Sequence, residues 1–87
     1  MTKLESNADL LSYLVSLADR LENAACLSLA ADLRFAADQA AGLSTEFLGE
    51  SLIALRKVSD VKKNTLDTDE REDLVRIIRQ IEFAINR

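Results

Sequence analysis

Side chains suited to catalysis are sparse in this chain. It has no histidine and a single cysteine, Cys26. Without an imidazole it lacks the commonest general base and the commonest transition-metal ligand. A cysteine nucleophile of the papain type needs such a base, so Cys26 reads as a small, partly buried hydrophobe. Asp19 with Glu22, and Glu46 with Glu50, have the spacing to share a helix face. Paired carboxylates can hold a hard cation, but solvated acidic faces are commoner, and a di-iron bundle wants Glu-x-x-His. No nucleophile can be matched with a base, so no catalytic, cofactor or metal site is expected.

Two motifs centre on Gly42. Gly42-Leu43-Ser44-Thr45 opens a helix whose free amides could bind an anion, although capping accounts for the same residues. Ala40-Ala41-Gly42-Leu43-Ser44 reads like the turn of a helix-turn-helix. Asp38 stands where that motif wants a small residue, and the recognition helix would lead with Thr45, Glu46 and Glu50. Glutamate can accept from cytosine but is repelled by phosphate. The basic residues Arg56, Lys57, Lys62 and Lys63 lie toward the far end of that helix. A net charge of -4 also weighs against a polyanion. A DNA-binding regulator using the Gly42 turn is therefore the alternative reading, and nucleic acid is not the expected partner.

The elements that carry these residues are helical throughout. The chain has 87 residues, 48% apolar and 30% charged, with no proline and only Gly42 and Gly49 as glycines. That balance is globular, short of breakers, and sized for one domain over 1–87. A lone cysteine makes no intramolecular disulfide, which fits a reducing compartment such as the cytoplasm. Glu5, Asp9 and the lack of a long apolar run argue against a secretory signal, and nothing approaches a membrane span.

Apolar spacing predicts four helices. The first runs from about Asn7 to Asn23 on Leu10, Leu14, Leu17 and Leu21, widened by Leu11, Ala18 and Ala25, with Ser6 or Asn7 as cap or Thr2 with Glu5 as a capping box. The second covers Ser28 to Ala41, with an inner face of Leu29, Leu33, Ala36, Ala37 and Ala40, and Gly42 ends it. The third runs from Thr45 to about Lys63. Ser44 caps it, Leu43 and Leu48 form a hydrophobic staple, and Phe47, Ser51, Ala54, Val58 and Val61 form its seam beside Leu48 and Leu55. The fourth starts near Asp67 or Thr68 with an acidic capping-box spacing to Glu70, and turns Leu74, Ile77, Ile78, Ile81, Ala84 and Ile85 inward. Short connections predict an all-α, antiparallel up-down bundle of four helices. The alanine-rich Asn23–Leu27 junction leaves open a single bent helix in place of the first two.

Phe35, Ile53 and Phe83 fall outside this scheme. At 100° per residue, Phe35 lies about 200° from Leu33, Ile53 about 200° from Ser51, and Phe83 about 180° from Leu74. Single exposed apolar residues are ordinary. Apolar residues opposite the stripe on consecutive helices, two of them aromatic, point instead to an interface. Gly49 lies one turn before Ile53 on the same outer face, where it would permit close approach. The expectation is a non-enzymatic protein that self-associates as a homodimer or binds a protein partner through Phe35, Gly49, Ile53 and Phe83. An inhibitory or toxin-neutralising partner would look the same in sequence.

Overall fold

A computed structural model describes residues 6–41, 44–61 and 66–86. Among these, four α-helices follow in order: α1 (Asn7–Asn23), α2 (Leu27–Asp38), α3 (Ser44–Asp60) and α4 (Thr68–Ile85). A short 3-10 turn, Gln39–Ala41, extends α2. The helices pack as a small all-α bundle.

Local signals set most of the ends. Ser6 caps α1, its Oγ accepting from the Asp9 amide at 3.3 Å. Asp67 caps α4 in a complete capping box: its carboxylate accepts from the Glu70 amide at 2.8 Å, and Glu70 Oε1 accepts from the Asp67 amide at 3.0 Å. Glu70 also accepts from Arg20 Nε at 3.1 Å, which ties the start of α4 to the last turn of α1. Thr2, Gly42 and Leu43 lie outside the described residues.

The α1–α2 junction resolves into two separate helices. Ala25 has a φ of 63°, in the left-handed region. The Cys26 amide donates to the Leu21 carbonyl at 2.8 Å and the Ala25 amide to Glu22 at 3.0 Å. These bonds form a Schellman motif, which ends the helix by satisfying its last carbonyls. Alanine occupies the position that glycine usually takes, so no glycine marks the turn. Ala25 is exposed and does not widen the α1 stripe.

The core is drawn from all four helices. Leu10, Leu14 and Leu21 of α1, Leu33 of α2, Phe47, Leu55 and Val58 of α3, and Leu74, Ile77 and Ile81 of α4 are almost wholly buried. Each such side chain stabilises the fold by roughly 1.5–3 kcal/mol before entropy is counted. The stripes are narrower at their C-terminal ends than the sequence pattern implies. Val61, at 38% exposure, lies beyond the end of α3, and Ile85, at 43%, projects past the last core layer with Ala84. Leu52 is buried although it lies off the α3 seam; it sits one turn before Arg56, which reaches Glu82 of α4.

Ion pairs fix how the helices run. Arg20–Glu70 joins the end of α1 to the start of α4, while Asn7 and Leu10 share a groove with Gln80 to Ala84, so α1 and α4 are antiparallel. Lys57 meets Asp32 at 3.5 Å across α2 and α3. Leu48 and Arg56 stand about 12 Å apart along α3. Yet Leu48 lines the groove under the last turns of α4, and Arg56 Nη2 reaches Glu82 there at 2.5 Å. Helix α4 therefore crosses α3 obliquely.

Candidate interaction surface

The carboxylate pair Asp19 and Glu22 is engaged by a guanidinium. Arg34 Nη2 donates to Asp19 Oδ1 at 2.5 Å and also to Glu22 Oε1, which ties α2 to the last turns of α1. The bonds to Glu22 and then Asp19 push the Arg34 pKa above its usual value. Glu46 and Glu50 remain on the outside of α3, and among the described residues neither has an ion-pair partner. Among those residues no group of three or more His, Cys, Asp or Glu could hold a metal ion. Tyr13 is half-buried against α4. Burial first, then the nearby Asp73 and Glu70 carboxylates, raises its phenol pKa, so it stays neutral throughout the physiological range.

The off-stripe residues are exposed. Phe35 keeps 57% of its surface, Ile53 52% and Phe83 70%. The Asp32–Lys57 ion pair places Phe35 and Ile53 on adjoining helices. Asp32 and Lys57 bridge the outer seam between α2 and α3. Phe35 lies one turn beyond Asp32, and Ile53 one turn before Lys57. Because these helices are antiparallel, both steps lead to the same level of the bundle. Phe35 and Ile53 therefore flank one seam, on helices whose axes are about 8–10 Å apart. Leu27, 65% exposed, and Ala31 extend the patch along α2 as an i, i+4, i+8 ridge with Phe35. The Asn23–Leu27 junction hid Leu27 from the sequence pattern. Its separation of eight residues from Phe35 becomes informative once α2 is known to start at Leu27.

Phe83 belongs elsewhere. Phe83 lies about 100° round the helix from Glu82, which reaches Arg56 of α3. It rims a groove of about 410 Å³ whose apolar lining includes Leu10, Leu48 and Ile81. Gly49 is on the outer face of α3, one turn from Ile53. A Cβ built there meets nothing within 4 Å, so the chain's own packing does not require glycine.

The fold and surface define a small helical bundle with an apolar face on two adjacent helices. No protein-family model, curated protein or solved structure matches this chain. No helix among the described residues is long and apolar enough to cross a membrane.

Proposed function

We propose that this chain is a non-enzymatic interaction protein that binds a protein partner through the outer face of α2 and α3. The observation that supports this reading is the exposure of Phe35 and Ile53, both more than half open to solvent, on the two helices that the Asp32–Lys57 ion pair joins. Aromatic and aliphatic anchors that exclude water supply most of the energy at protein contacts, while charged neighbours form the rim. Here Asp32, Arg56 and Lys57 surround the patch and would serve as that rim. A reducing compartment such as the cytoplasm suits the free Cys26.

The test uses absolute mass by light scattering across a range of protein concentrations, together with affinity capture from lysate. Parent protein should associate with itself or retain a partner, and Phe35→Ser should abolish whichever is seen while leaving helicity unchanged by circular dichroism. Association or capture that survives both Phe35→Ser and Ile53→Ser would sink the reading.

A further inference from the structure

We infer that the partner is a second copy of this chain, docked antiparallel through α3 about a two-fold axis at Ile53. This rests on the interaction face proposed above. A two-fold contact must be complementary to itself. Through Ile53, it brings together residues at nearly equal distance from 53 and on the same side of the helix: Glu50 and Lys57 lie on one flank, Gly49 and Arg56 on the other. Glu50 then faces the partner's Lys57, and Gly49 faces the partner's Arg56.

Those pairings fit the chemistry. Along the outer face of α3, Glu46 and Glu50 precede Ile53, and Arg56 and Lys57 follow it. The acidic half has no ion-pair partner among the described residues. The basic half stays more than half exposed at the side chain even while bridging Glu82 and Asp32. A reversed copy therefore brings unpaired acid onto accessible base at both ends of the contact. Gly49 completes the fit. A glycine inside a helix weakens it relative to alanine, and nothing within this chain fills the space its missing side chain leaves. In the dimer, the stem of the partner's Arg56 crosses the bare backbone there, with its guanidinium held in water. Glu46 would meet the partner's Asp60 if the helices lay parallel to one another. A crossing near the common 50° carries those ends apart and keeps Glu50 and Lys57, about 4.5 and 6 Å along the axis from Ile53, within reach.

The experiment is a charge exchange read as a dimer dissociation constant. Glu50→Lys and Lys57→Glu should each weaken the dimer by about tenfold, and the double variant E50K/K57E should return to within about threefold of the parent. The two positions lie two turns, about 10 Å, apart along one helix, so contact within a chain cannot produce that rescue. In a Cys26→Ser background, Ile53→Cys should form a disulfide-linked dimer under mild oxidation and Phe83→Cys should not. Gly49→Ala should raise the helix content or melting temperature of the monomer while weakening the dimer. A dimer without rescue and without the Ile53→Cys cross-link would overturn this docking and leave the interaction face itself standing. A monomer at every concentration would overturn the docking too, and only capture of another protein, lost in Phe35→Ser, would then support the broader reading.

Discussion

Along α3, Phe47, Leu55 and Val58 have no exposed surface, while Ile53 on the opposite face of the same helix keeps 52%. The inner face carries several large apolar groups, and the outer one carries Ile53. The inner one is covered by α2 and α4, with Leu10 of α1 beside Leu48. The outer one is framed by the Lys57–Asp32 and Arg56–Glu82 ion pairs, which close its seams without covering its crest. The inner face is closed to solvent, and the outer crest lies open to it. The two faces should therefore answer to different measurements, the inner one to unfolding and the outer one to association.

The largest effect on stability is expected at Phe47→Ala. Its ring is wholly buried, and truncation leaves a cavity, which should cost about 3–5 kcal/mol in denaturant unfolding. A loss below about 1 kcal/mol would mean that the inner face is not the core. Ser51 sharpens the contrast from within that face. It has no exposed surface, and its Oγ has no hydrogen-bond partner among the described residues. A buried hydroxyl left unsatisfied is costly, so Ser51→Ala should stabilise the chain by about 1 kcal/mol, read as a higher denaturant midpoint at constant m-value.

Glycine signals explain how much of this was legible in the sequence. Hydrophobic period located α1 while leaving its cap open among Thr2, Ser6 and Asn7, and the Asp67–Glu70 spacing gave the start of α4 near Asp67 or Thr68, since both depend on side chains the sequence displays. The inner residues of α1 and α4 followed, apart from Ala25, which is exposed past the end of α1, and Ala84 and Ile85, whose period matches the core but whose level lies past it. The α1–α2 turn was ambiguous because Ala25 adopts a conformation that sequence normally announces with glycine. Angular position likewise placed Phe35, Ile53 and Phe83 outside the core. It could not say which of them meet, because that depends on the tertiary Asp32–Lys57 and Arg56–Glu82 contacts. Ala25 itself offers a check. The left-handed backbone strains an alanine, so Ala25→Gly should stabilise by roughly 0.5–1 kcal/mol in thermal or denaturant unfolding. A loss of stability there would mean that α1 does not end in the turn described.

The smallest effect on stability is expected where the effect on association is greatest. Ile53→Ser removes an apolar side chain that the folded monomer already leaves half in water. Little transfer free energy is lost, and a surface substitution of this kind changes stability by less than about 0.5 kcal/mol. Unfolding must be measured at concentrations where the parent is monomeric, because association adds its own stability by mass action. Under that condition, Ile53→Ser and the parent should unfold at nearly the same denaturant concentration, and the two should separate only as concentration rises. If Ile53→Ser instead destabilised the dilute monomer by as much as Phe47→Ala, the two faces of α3 would be parts of one core. The oblique crossing of α4, which leaves the crest of α3 uncovered, would then be the feature to revise.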